Sequence, residues 1–269
     1  MKPSHLGPLV ARIEAELRLQ GNPERAEGAK RYLKSELVFL GADTRAVRET
    51  VSSALEGAPS LDRGGLLALV NALWPRGIFE LRAVAVEALR ARCALLNAKD
   101  IKLIERLLRD SRTWAFVDFL AIQIAGPLVV RFPELGTVLD RWAADPDFWV
   151  RRAAMLALLL PLRRGTGDFG RFSRYADGML EEKEFFVRKA IGWVLREVAK
   201  KRPELVDAWL APRTQRASGV TVREAVRYLP PARREALLTA YRERRPTTPS
   251  AAKAKGSRCR QSDRKGWQA

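Results

Sequence analysis

Val187-Arg188-Lys189-Ala190 opens a helical run, and Leu81-Arg82-Ala83, Val150-Arg151-Arg152-Ala153 and Val222-Arg223-Glu224-Ala225 are written the same way. Each continues with small and branched apolar residues at three- and four-residue spacing, the period of a helix face. The Val anchors at 150, 187 and 222 lie 37 and 35 residues apart. Leu81 stands two such periods before Val150, and Val117 falls near the midpoint. Phe132-Pro133-Glu134-Leu135 and Arg202-Pro203-Glu204-Leu205 begin shorter partner helices, with proline in the first turn where its missing N–H costs nothing. A two-helix unit repeating at this interval predicts an all-α fold, an α-solenoid of HEAT-like helix-pair repeats with a concave basic groove. An ordinary helical bundle with similar helices is the alternative.

Outward from these anchors, the same periodicity predicts helices over 7–20, 23–39, 43–56, 62–74, 77–92, 99–110, 113–131, 134–144, 147–161, 168–180, 183–200, 203–211, 219–229 and 231–244. No stretch alternates convincingly with a period of two. Residues 1–245 are expected to form one solenoid domain. From Pro246 the composition changes to Pro, Ser, Gly and basic residues, with Lys253, Lys255, Arg258, Arg260, Arg264 and Lys265 against one Asp263. Residues 246–269 thus read as a disordered basic tail, either an arm attracted to phosphates or an inert terminus.

The 269 residues carry a formal charge of +18 with 47% hydrophobic residues. A chain that apolar can bury a core, and a charge that large points to a polyanionic partner, nucleic acid before membrane. The longest apolar run, Ala153 to Leu162, is half a membrane span with arginines on both sides. Met1 to Pro8 lack an apolar signal core, so a cytoplasmic, nucleoid-associated protein is the expectation. Cys93 and Cys259 form no Cys-x-x-Cys pair, and His5 is the one histidine. Zinc sites, disulfide frameworks and histidine acid–base chemistry are thereby set aside, and neither metal nor cofactor is expected. Gly165-Thr166-Gly167-Asp168-Phe169-Gly170 spells G-x-G-x-x-G, but no strand precedes it, and a loop between helices is the better reading.

One carboxylate interrupts an apolar helical run. Asp118 lies between Val117 and Phe119, with Trp114 four residues earlier on the same face. A lone acid there needs a partner, a polar opening or a ligand. An arginine of the next repeat and a working site both satisfy that need. Lys189, Trp193 and Arg196 share one helix face, and Trp149 and Arg152 another. Cations beside a flat ring suit the phosphates and sugars of a nucleic acid. Tyr32, between Arg31 and Lys34, is a similar case. Each tryptophan also reads as ordinary core.

Together these residues resemble the AlkD-type DNA alkylation-repair glycosylases, a HEAT-like repeat family. The resemblance runs from about residue 10 to 230. It includes Asn22-Pro23-Glu24-Arg25, Arg31-Tyr32, Phe39-Leu40-Gly41, Trp114 with Asp118, Phe132 to Leu135, and Trp149 to Ala154. It is most specific over Lys183 to Glu197. It implies Asp118 as the catalytic carboxylate, Trp114 and Trp193 as aromatic walls beside the lesion, Arg152 as a backbone contact and Tyr32 near the same cleft. Lys189, Arg196 and Trp149 complete the expected DNA-binding set. The implied partner is double-stranded DNA containing alkylated purines, met by a monomer without metal, cofactor or membrane. The implied reaction is hydrolysis of the N-glycosidic bond of cationic 3- and 7-alkylpurines without extrusion of the base into a closed pocket. A non-catalytic DNA- or RNA-binding solenoid and a protein-binding solenoid are the alternatives. Thr113 stands where the pattern accommodates a second tryptophan, and the glycine loop at 165–170 lies outside the pattern.

Overall fold

The computed structural model describes residues 3–57 and 61–243, so the expected tail over 246–269 lies outside the described residues. Among these, the chain is helical apart from one isolated parallel bridge, Val38 with Ile78. The helices are α1 (Pro3–Leu19), α2 (Pro23–Leu33), α3 (Thr44–Glu56), α4 (Arg63–Leu73), α5 (Phe79–Ala91), α6 (Ile101–Ser111) and α7 (Trp114–Arg131). They continue as α8 (Gly136–Ala143), α9 (Phe148–Leu156), α10 (Leu159–Arg163), α11 (Phe169–Gly178), α12 (Phe185–Ala199), α13 (Pro203–Leu210), α14 (Gly219–Ala225) and α15 (Pro231–Glu243). Many starts are written in the cap residue. The side chains of Asn22, Asp43, Asp62, Asp147, Asp168 and Ser218 each accept a hydrogen bond from a backbone N–H in the first turn that follows.

The chain divides into two compact units, one through Leu160 and one from Pro161. In the first, the anchors Leu81, Val117 and Val150 are all fully buried; in the second, so are Val187 and Val222. The recurrence that organises the sequence is therefore the recurrence of core positions, as expected of an α-solenoid of helix-pair repeats.

Polar contacts repeat with the same interval. In the first unit Arg63 pairs with Asp100, Arg109 with Asp145 at 2.6 Å, and Arg141 with Glu105 at 2.6 Å, while Trp142 donates its indole N–H to Glu105 at 2.9 Å. In the second, Arg163 pairs with Glu197 at 2.8 Å, Arg213 with Asp177 at 2.7 Å, and Trp209 donates its indole N–H to Ser173 at 2.6 Å. Each joins residues 34 to 37 apart. In these pairs the arginines are partly exposed, while Asp100 and Glu197 are buried. Apolar stacking supplies the stability, and the pairs fix the register of one repeat on the next.

Two glycines mark where helices nearly touch. A Cβ on Gly126 of α7 would stand 2.6 Å from the carbonyl oxygen of Ala157, and one on Gly192 of α12 would stand 2.8 Å from Cβ of Glu224.

Two expected helices are shorter than their periodicity suggested. The helix expected over 23–39 ends at Leu33, where Lys34 takes a left-handed conformation (φ 49°). Val38 then donates to Gly77 and accepts from Phe79, so Leu37 to Phe39 are used extended rather than helical. The helix expected over 147–161 breaks at Ala157–Leu158 into α9 and α10.

Helix α7 is long and apolar enough to cross a membrane by length and composition. In the fold, Phe116, Val117, Leu120, Ile122, Ile124 and Leu128 instead form protein core, which accounts for that composition. Residues Ala121–Ala125 form a π turn within it. Pro127 cannot donate to the carbonyl four residues back, and the Gly126 N–H reaches the oxygen of Ala121, five residues back.

Candidate active site

In two repeats of the first unit the residue after the buried anchor is an arginine that donates to backbone carbonyls. Arg82 donates to the carbonyl oxygens of Trp74 and Asp110 at 3.1 and 3.0 Å, and Arg151 donates to those of Asp145 and Pro146 at 2.7 and 2.9 Å. In the second unit Arg188 likewise donates to the carbonyl of Glu182. The repeat anchored at Val117 carries Asp118 at this position, and a carboxylate cannot donate to a carbonyl.

Asp118 turns to the next repeat. Arg152 donates from Nε to Oδ1 at 2.6 Å and from Nη2 to Oδ2 at 2.8 Å, a two-pronged pairing that fixes the plane of the carboxylate. The arginine side chain is 3% exposed and that of the acid 14%. The arginine of the next repeat, one of the two explanations open from sequence, is thus part of the answer. It leaves a carboxylate that is held in a fixed orientation yet still reaches the surface. Arg152, expected as a contact to the DNA backbone, lies behind Asp118 with two guanidinium nitrogens committed to it.

Trp114 begins α7 after a two-residue turn in which Arg112 is left-handed (φ 46°) and Thr113 buries a hydroxyl without a hydrogen-bond partner. Half-buried, Trp114 receives Tyr32 of α2 edge to face, ring centroids 5.8 Å apart, while Tyr32 remains 71% exposed. Beneath, Phe116 packs against Phe79 at 4.7 Å and Trp74 at 5.6 Å, and Phe39 stacks on Phe79 at 4.7 Å. Four sequence-predicted residues, Tyr32, Trp114, Asp118 and Arg152, therefore meet in two pairs joined through one turn of α7. Trp149 is half-buried against Phe148, ring centroids 4.5 Å apart.

The remaining candidates lie in the second unit, on α12. Lys189 is exposed, its ammonium 5.9 Å from the ring of Phe185, and Trp193 is half-buried. Arg196, expected to meet DNA, is engaged with Glu224 and, at 3.5 Å, with Glu197. Among the described residues no group of three His, Cys, Asp or Glu side chains is placed to hold a metal ion.

Sequence reasoning missed Glu80. Its carboxylate, 2% exposed as a residue, accepts the backbone N–H groups of Leu40 and Gly41 at 2.9 and 2.7 Å. Burial pushes its pKa above the usual carboxylate range, against the pull of the N–H groups of Leu40, Gly41 and Ala42. Its signal in the sequence was faint, an acid in the first turn of a helix, where Glu is common.

A protein of Enterococcus faecalis described as a predicted DNA alkylation repair enzyme superposes with a TM-score of 0.72 at 23% identity, over 79% of this chain and 98% of its own. AlkD2 of Streptococcus mutans superposes with a TM-score of 0.58 at 19% identity, over 83% of this chain and 99% of its own. A comparison with curated proteins returns no match. At these identities the solved structures are similar in fold, which is the all-α repeat fold described above. The sequence pattern of one family spans residues 13–229, and the chain belongs to it: the DNA alkylation repair enzymes.

Proposed function

We propose that the protein is a DNA glycosylase that hydrolyses the N-glycosidic bond of cationic 3- and 7-alkylpurines in duplex DNA. The observation that carries this reading is Asp118, an acid where neighbouring repeats carry arginine, held by Arg152 and open to the surface beside Trp114. In a chain of net charge +18 an anion at the surface weakens binding to a polyanion, which favours a chemical use over binding alone.

Alkylation of a purine ring nitrogen makes the base a cation that departs neutral, so no proton donor is required. The sugar left behind develops oxocarbenium character. A fixed carboxylate next to that charge lowers the barrier, and pre-orientation by Arg152 means that no reorganisation is needed when the charge appears. Asp118 also accepts a hydrogen bond from the attacking water. The face of Trp114 contacts the electron-poor deoxyribose. Lys189 and the cations flanking Tyr32 attract the phosphates.

The competing reading is a DNA-binding repeat protein without catalysis, and the Asp118–Arg152 pairing favours it to the extent that the pair only joins two repeats. Incubating the protein with methylated duplex DNA and identifying any released base separates the two. Release of 7-methylguanine by the parent and not by Asp118→Asn supports the glycosylase; binding without release by either protein leaves the binding module.

A further inference from the structure

Helix α2 buries none of its residues fully, yet it carries Tyr32 onto Trp114 and presents Lys30, Arg31 and Lys34 around it. Ala26, Ala29 and Leu33 are only half-buried, so apolar packing holds the helix weakly and the tethers at its start carry much of its placement. Those tethers converge on one loop. The Asn22 N–H donates to the carbonyl of Leu40 at 3.1 Å, and Arg25 donates to the carbonyl of Gly41 at 2.7 Å. Gly41 itself is left-handed (φ 79°), and a Cβ there would stand 2.0 Å from the oxygen of Asn22, so loop and helix start are in close contact.

The loop is held in turn by Glu80. Its two oxygens take the N–H groups of Leu40 and Gly41, the residues whose carbonyls hold α2. Glu80 begins α5 beside Phe79, whose ring lies between Phe39 of the loop and Phe116 of α7. One helix start therefore reaches both sides of the aromatic pair, α7 through Phe79 and α2 through Glu80.

We infer that Glu80 is a positioning residue for the proposed active site: through Leu40 and Gly41 it fixes α2 and thereby sets Tyr32 on Trp114. The inference rests on the proposed glycosylase reading for its kinetic consequence and on hydrogen bonding alone for its structural one. Glu80 touches no substrate. Its loss leaves Asp118 and Arg152 paired while Tyr32 and the cations of α2 lose their set position, and measuring at saturating protein separates the loss in turnover of the bound complex from any loss of affinity.

The test uses the full chain with Glu80→Ala, Glu80→Gln and Arg25→Ala, the last cutting the same path without disturbing a buried acid. Amide hydrogen exchange is expected to rise by about tenfold or more over 23–33 in Glu80→Ala and Arg25→Ala and to stay at the parent level over α9. Single-turnover release of 7-methylguanine from methylated duplex, at saturating protein, is expected to fall roughly tenfold in both. Glu80→Gln, which keeps shape and one acceptor, is expected to restore part of the rate. In a Tyr32→Ala background the Glu80→Ala loss should vanish, since both changes act on one contact. Parent-like exchange over 23–33 in both Glu80→Ala and Arg25→Ala overturns the inference, as do losses that multiply with Tyr32→Ala. If the parent protein releases no base, the glycosylase reading fails, and the exchange measurement still decides whether Glu80 positions α2.

Discussion

Arg152 grips Asp118 across 34 residues of chain through two parallel hydrogen bonds of 2.6 and 2.8 Å, with the arginine shut away and the acid at the surface. The pair is asymmetric in what each member can meet. A molecule approaching from solvent encounters the carboxylate first, with the guanidinium behind it as a fixed support.

Asp118→Asn keeps the shape and removes the charge. Release of 7-methylguanine is expected to fall on the order of 10²–10³-fold. DNA binding should stay the same or tighten, because the Arg152 charge is then unopposed. Quantifying released base alongside a binding titration checks both; near-parent release rules out Asp118 as the catalytic carboxylate.

For Arg152, burial changes what the sequence led one to expect. A backbone contact there would make the salt dependence of DNA binding shallower by about one unit of slope on substitution. With the side chain behind Asp118, Arg152→Lys should instead leave that slope unchanged and lower base release, since an ammonium cannot form the two-pronged pairing. A binding series at increasing salt decides between phosphate contact and support.

Lys189 is the opposite case, an exposed cation on α12. Lys189→Ala is expected to make the slope shallower by about one unit while release from saturated complex stays within about twofold. An unchanged slope removes Lys189 from the phosphate contacts.

Acid should loosen the repeats. The Arg109 guanidinium holds Asp145 below the usual carboxylate range, and Arg213 does the same for Asp177. A carboxylate with a lowered folded pKa binds fewer protons folded than unfolded. Its contribution is fully present above the unfolded value of about 3.9 and is lost as pH falls through the lower folded value. Urea unfolding is therefore expected to show stability declining below about pH 4, with a shallower decline in Arg109→Leu, where Asp145 loses the strongest of the interactions that lower its pKa. An equally steep decline in that variant removes Asp145 from the acid response.

Gly126→Ala is expected to lower stability by about 1–3 kcal/mol, because the new methyl would overlap the Ala157 carbonyl and push α7 off its seat. Thermal unfolding measures it, and an unchanged midpoint would mean that the helices separate at little cost.

Much of the fold was legible because a repeat writes its core at a fixed interval. Leu81, Val117, Val150, Val187 and Val222 were recognisable as equivalent before any of them was known to be buried. Helix α2 was overextended because Leu37, Val38 and Phe39 are apolar at spacings a helix tolerates, while their partners at Gly77 and Phe79 lie some 40 residues away in the chain. Trp114 and Asp118 were legible through four-residue spacing. The pairing of Asp118 with Arg152 was one of two open explanations, since spacing shows which residues share a face and says nothing of what lies opposite. Arg196 illustrates the same limit: its engagement with Glu224 crosses from α12 to α14. The interval of 34 to 37 residues between opposite charges was nevertheless in the sequence, and a search at the repeat period would have found Arg109 with Asp145 and Arg213 with Asp177.

The π turn at Ala121–Ala125 acts as a phase shifter. One residue beyond the α-helical count advances everything after it by about 100° around the axis relative to everything before. Upstream of it α7 presents Trp114 and Asp118; downstream it seats Gly126 against Ala157. In an uninterrupted α-helix those two faces would be out of step by about a quarter turn, so that seating the helix would aim the acid elsewhere. The direction in which Asp118 points is thus settled partly by where the helix rests, about two turns further along.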